Sequence, residues 1–182
     1  MNHALKVHKN DTRWLALIDV DEYIVPMKVN SIPEVLADYE EFAALCPHWV
    51  LFGSSGHKHF EDKPVVERFT WRAAETDRHI KSIARPPLTH DWVTVHKFTH
   101  SGLAVDENKV PIAMKESRPE NPTENIIRIN HYVTKSYDEC VERRGRPRAD
   151  INALHEMPEF FDGHDRNEVE DLRALKLWEA MK

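Results

Sequence analysis

The sequence predicts a mixed α/β fold, a sheet flanked by helices, and three observations predict it. The run Trp14 to Val20 is apolar until it meets Asp19, Asp21 and Glu22, as in a buried strand of a parallel sheet that ends in acids. Two further strand-like runs, His48 to Phe52 and Ile126 to Val133, follow at intervals too long for simple hairpins. Two Ser-x-x-Glu capping boxes, Ser31 with Glu34 and Ser136 with Glu139, open stretches of helical periodicity between and after them.

Taken in order, Asn2 to Lys9 is helix-compatible, and Asn10-Asp11 turns into the first strand. After Pro26 the second helix starts at Ser31 with Pro33 in its first turn, puts Val35, Leu36, Tyr39, Phe42 and Ala43 on one face, and stops at Pro47. His48 to Phe52 is a strand, and Gly53 to His57 is the loop at its end. Val65 to Trp71 and His79 to Ile83 read as short strands, with Arg85-Pro86-Pro87 as a break. Trp92 to Phe98 alternates as one half-buried strand, and Asp106-Glu107-Asn108 is a turn. Ile126 to Val133 is the last strong strand. The helix opened by Ser136 runs to Arg144 and ends at Gly145, the basic stretch Arg143 to Arg148 connects, and a closing helix spans Asn167 to Met181 with Val169, Leu172, Leu175, Leu177 and Trp178 as its packing stripe.

Composition narrows the function. At 182 residues the chain can bury a sizeable core, and its formal charge of -6 argues against a nucleic-acid binder that works by neutralising phosphates. Cys46 and Cys140 lack metal-ligand spacing and are too few for a disulfide framework, so they read as structural thiols in a reducing, cytoplasmic compartment, with association to a membrane surface left open. No stretch is apolar enough for a transmembrane span, and there is no signal-peptide core.

The chemistry concentrates at Asp19 and Asp21. Ligands of open α/β sheets sit beyond the carboxyl ends of strands, where two carboxylates one residue apart can hold a hard cation that also grips phosphate oxygens. Taken alone, the same pair reads equally as a solvated acidic turn. Glu67 follows the apolar pair Val65-Val66 and precedes Arg68, so it is a candidate general base or one half of a structural ion pair.

The blocks Asp19 to Pro26, Trp49 to His57, Glu67 to Phe69, Lys81 to Ile83 and Asn130 to Ser136 occur in the order of one group of glycosyltransferases. From about Trp14 to about Gly145 the chain resembles glycosyltransferase family 92 and its bacterial family 2-like relatives, whose catalytic domain is of the Rossmann-like GT-A type. The resemblance implies a hexosyltransferase that moves a sugar from a nucleotide-sugar to a glycan or other hydroxyl acceptor, with inversion. UDP-hexoses, UDP-galactose among them, are donors that the family analogy admits. It implies a divalent metal, Mn²⁺ or Mg²⁺, as Lewis acid on the leaving diphosphate. Asp21 is then the direct metal ligand, Asp19 holds the ribose or a metal-bound water, and His131 is the third ligand with His96 second. Arg85 and Lys135, whose default is a surface role, would pair with the diphosphate, Glu67 is the base, and Ser54, Ser55 and His57 face the acceptor together with Trp49, which reads either as core or as a ring that stacks a sugar.

On this resemblance residues 1–149 are the catalytic region and residues 150–182 a helical C-terminal extension. Only 18 residues precede Asp19 where such proteins place roughly a hundred. The expectation is therefore an N-terminally truncated domain, with either a longer native chain or a partner chain or oligomer completing the sheet. Two other readings stand beside the enzyme. One is an inactive or sugar-binding remnant of the fold. The other is a haloacid-dehalogenase-type phosphatase with Asp19 as nucleophile, which expects Thr where this chain has Tyr23.

Overall fold

The computed structural model describes residues 2–94, 96–113, 118–145 and 159–182. Its order is α1 (Asn2–His8), β1 (Leu15–Ala16), β2 (Glu22–Pro26), α2 (Ile32–Ala37), β3 (Ala44–Leu45), β4 (His48–Leu51), α3 (Val65–Arg68), β5 (Trp71–Arg72), β6 (Asp77–Ile80), β7 (Ile83–Ala84), a 3-10 turn (Pro86–Leu88), β8 (Thr89–Thr94), β9 (Lys97–His100), β10 (Ala104–Val105), β11 (Ile127–His131), α4 (Tyr137–Arg144), α5 (Glu159–His164), β12 (Val169–Glu170) and α6 (Arg173–Glu179). The fold is mixed α/β with mixed sheets and short helices. The chain divides into two compact units, Met1–Trp49 with Thr76–Ile129 and Val50–Glu75 with Asn130–Lys182.

The first unit is built around β3. One sheet has the order β1-β7-β3-β10, with β7 antiparallel to both β1 and β3 and β10 parallel to β3. Successive side chains of a strand point to opposite faces, and here both faces are buried. Ala44, Cys46, Ala84 and Ala104 face a cluster with Leu5, Ile80, Trp92 and Phe98. Leu45, Ile83 and Val105 face the other cluster, with Val35, Leu36, Tyr39 and Ile127. A second sheet has the order β2-β11-β4-β6, and the last two residues of β4 and β11 belong to the other unit. The carboxylate of Glu107, 1% exposed, accepts the backbone N–H groups of Asn125, Ile126 and Ile127 at 2.7, 2.7 and 3.0 Å and so fixes where β11 begins. The Asp106 turn is as expected, its Oδ1 accepting from the Asn108 and Val110 N–H groups.

The second unit packs Phe52, Phe69 and Tyr132 together, with ring centroids 4.8 Å apart for Phe52 and Tyr132. Arg68, 5% exposed, donates to both oxygens of Glu139 at 2.6 and 3.2 Å. Glu139 also completes the capping box with Ser136, so α4 starts at Tyr137 and ends before Gly145 as its sequence predicts. Gly53 is required by packing: a Cβ there would lie 2.4 Å from the Arg166 carbonyl oxygen.

Several sequence expectations are corrected. Trp14 to Val20 is not one buried strand of a parallel sheet; only Leu15–Ala16 pair, antiparallel to β7, while Ile18 is 39% and Val20 96% exposed. Asp19 and Asp21 lie in a turn closed by the Glu22 N–H donating to the Asp19 carbonyl at 3.0 Å, and they lead into β2, which Glu22 opens, instead of ending a strand. Ser31 caps α2 without a side-chain hydrogen bond, and that helix ends at Ala37, well before Pro47. Val65 to Trp71 begins as the short helix α3, because the Pro64 carbonyl accepts the N–H groups of Glu67 and Arg68. Trp92 to Phe98 is not one strand but a hairpin turned at His96, with Trp92 facing Phe98 across it and the register shifting between Trp92 and Thr94, so that Thr94 is exposed. The closing helix is only Arg173–Glu179: Glu168 and Asp171 instead donate their N–H groups to Arg72 and Thr70, pairing β12 with β5. Of its stripe, Val169 and Leu172 are exposed. Arg146 to Arg148 of the basic stretch lie outside the described residues.

Candidate functional site

In the first unit, polar side chains gather beside the acidic turn. Asp77 and His79 alternate along β6, and Lys81 follows in the same alternation. Lys81 is 1% exposed, and its Nζ donates to Asp19 Oδ2 at 2.8 Å while lying 3.2 Å from Glu22 Oε2. The Asp19 N–H donates to the same Glu22 oxygen at 2.9 Å. An ammonium therefore ties the turn to β6. The two carboxylates differ sharply in access: the Asp19 side chain is 51% exposed and that of Glu22 is 0%.

Aromatic rings line the same place. Trp49 pairs with Asp77 across β4 and β6, stacks on His79 at 4.7 Å and meets His96 edge-on at 5.3 Å, with Lys81 Nζ 5.8 Å from its ring centroid. His96 sits at the hairpin turn, where its Nδ1–H donates to the Ile80 carbonyl at 2.9 Å. Burial, with the nearby Lys81 charge, holds the His96 ring below the usual imidazole range, so it is neutral with its lone pair on Nε2. Cys46, behind this layer, has its thiol pushed up to about 12 by burial and is inert, as a structural thiol should be.

Of the expected site residues, the structure thus brings Asp19, Trp49 and His96 together. Asp21, in the same turn, is 1% exposed. Arg85 is partly buried and its guanidinium donates to the Glu40 carbonyl. The others belong to the second unit. His131 is 8% exposed and its carbonyl accepts the Phe52 N–H at 2.9 Å. Lys135 has a left-handed backbone, φ 54. Ser54 donates from its N–H and hydroxyl to Asp165 at 2.5 and 3.1 Å, and the Ser55 N–H donates to Asn167 Oδ1 at 2.8 Å. Ser55 Oγ accepts from the N–H groups of Thr70 and Trp71, and His57 Nδ1 pairs with Glu61 at 2.9 Å. This loop is clamped within its own unit by hydrogen bonds.

Glu67 accepts from Lys182 Nζ at 2.8 Å and Trp178 Nε1 at 3.0 Å, and these two bonds hold its carboxyl below the usual range, which weakens it as a base. Arg68 does not orient it; that guanidinium belongs to Glu139. Sequence reading gave no role to Asp77 or His79 and named Lys81 only within a block of the resemblance, although the period of two from Asp77 through Lys81 was the available signal.

No three His, Cys, Asp or Glu side chains gather to hold a metal among the described residues. Of the two carboxylates expected to hold a cation, Asp19 is half-exposed and paired with Lys81, and Asp21 is 1% exposed. No helix among the described residues is long and apolar enough to cross a membrane. The chain matches no protein-family model and no curated protein.

Proposed function

We propose that the chain is a glycosyltransferase of the GT-A kind, similar to family 92, that moves a hexosyl group from a nucleotide-sugar to a hydroxyl acceptor with inversion. The observation that carries this reading is the convergence of Asp19, Glu22, Lys81, Trp49, His79 and His96 at one partly exposed turn. Asp21 and Asp19 would hold the divalent cation, which when bound supplies positive charge to the departing diphosphate. Lys81 fixes the Asp19 carboxylate in place and adds a cationic charge of its own beside it. Trp49 offers the apolar ring surface that sugars stack against, and His79 and His96 border it.

The test is release of nucleoside diphosphate from a panel of nucleotide-sugars, with Mn²⁺ present or removed by chelation. Metal-dependent release from one donor is the expected result, and Asp21→Asn abolishes metal-dependent nucleotide binding by calorimetry while leaving the unfolding transition in place. Unchanged Mn²⁺-dependent affinity in that variant would refute the assignment of Asp21. A second reading, sugar binding without turnover, draws on the tying of Glu67 to Lys182 and Trp178. Donor binding with no diphosphate release from any donor would decide for it.

A further inference from the structure

We propose that Asp77 and His79 form a general-base dyad in which His79 Nε2 takes the proton of the acceptor hydroxyl, an assignment that rests on the glycosyl-transfer reading. Asp77 Oδ1 accepts twice from the same residue, from the His79 backbone N–H at 2.8 Å and from its ring Nδ1 at 2.7 Å. Burial acts to raise the Asp77 carboxyl, but the His79 hydrogen bonds and the Arg118 charge hold it below the usual carboxylate range. An ionised carboxylate only accepts, so the shared proton lies on Nδ1, and in that tautomer of the neutral ring the lone pair is on Nε2.

The ring is also held in plane by the stacked Trp49 at 4.7 Å. Side-chain exposures of 28% for His79 and 25% for Asp77 leave both members of the pair partly open to solvent. Among the described residues, the charged and titratable groups around the dyad include His96, 5.9 Å away between ring centroids, Lys81 and Asp19 beyond it, and His48 and Arg118 on the Asp77 side. Nδ1 bound to a carboxylate and Nε2 turned to substrate is the arrangement that makes imidazole an effective base. Glu67, tied to Lys182, has no comparable freedom.

In the step, the acceptor O–H bond breaks and its proton moves to His79 Nε2. The oxygen forms a bond to the anomeric carbon as the bond from that carbon to the diphosphate breaks, and the nucleoside diphosphate leaves with the electron pair. The imidazolium, paired with Asp77, then returns its proton to solvent.

The experiment uses the full chain and two readouts. In the diphosphate-release assay, His79→Gln and Asp77→Asn each lower kcat by about a hundredfold to ten-thousandfold with little change in donor affinity. Independently of turnover, acylation by diethylpyrocarbonate, followed residue by residue by mass spectrometry, modifies His79 rapidly in the native protein and slowly in Asp77→Asn. A His79→Gln protein that transfers at near wild-type rate overturns the proposal, as does acylation of His79 that ignores Asp77→Asn. If acylation responds but the wild-type chain binds no nucleotide-sugar, the glycosyl-transfer reading and the acceptor assignment fall together, while Asp77 and His79 stand as a reactive pair for a different substrate.

Discussion

Lys81 is the residue on which the acidic turn depends. Its ammonium lies between a fully buried carboxylate, Glu22, and a half-exposed one, Asp19. Breaking a buried pair from one side typically costs about 3–5 kcal/mol, because the remaining charge stays in a poor solvent for it, whereas an exposed partner is worth about 0–1 kcal/mol. Lys81→Met is therefore expected to lower the urea midpoint strongly and Asp19→Asn only slightly, and equal losses would show that Glu22 does not rely on Lys81. Asp19 and Asp21 were legible in the sequence because acids that interrupt an apolar run stand out. Their counter-charge was not, since it lies 62 residues away and no local pattern links them. Ser54 and Ser55 read as acceptor-binding groups, and Glu67 as a base or a partner of Arg68, for the same reason: Asp165, Asn167 and Lys182, which occupy them, come more than a hundred residues later.

At the level of elements, the same Ser-x-x-Glu motif has two outcomes. At α4 both halves of the box form, and Glu139 is shared with Arg68; at α2 the Ser31 side chain makes no capping bond, and Pro33 has removed one of the backbone donors a cap can use. Ser136→Ala is expected to cost about 0.5–2 kcal/mol. Ser31→Ala, at an exposed position, is expected to stay within about 0.5 kcal/mol. Denaturant titration of the two variants side by side checks the contrast, and a larger loss for Ser31→Ala would reverse it. Of the elements, β4, β11 and α4 were legible since each carries its own signal in apolar runs or caps. β3 was not. Ala43-Ala44-Leu45-Cys46 reads as the tail of a helix, and only burial of both faces between two clusters makes it a strand.

Across the whole molecule, acid sensitivity follows from the imidazoles. Burial holds His48, His96 and His100 below the ordinary value of 6.5, so each ring binds its proton more readily in the unfolded chain. Their contribution is fully present above that value and is lost as pH falls through the lower folded values, before carboxylates titrate. The urea midpoint is therefore expected to fall between about pH 7.5 and about pH 5.5, and His48→Gln to flatten part of that slope. A midpoint that is level over this range would contradict the buried, neutral state of these rings. The mixed α/β class was legible at this scale, because strand-like and helix-like periodicities coexist; the division into two units was not, since each is assembled from two separated stretches of chain. The strand order β2-β11-β4-β6 has a further consequence for synthesis. A ribosome releases β2 and β4 long before β11, which belongs between them, and at about 5–20 residues per second the gap lasts several seconds. During that interval the nascent chain carries two unzipped edges, one of them on the strand that holds Trp49, and a chaperone that grips extended apolar segments has its opportunity there.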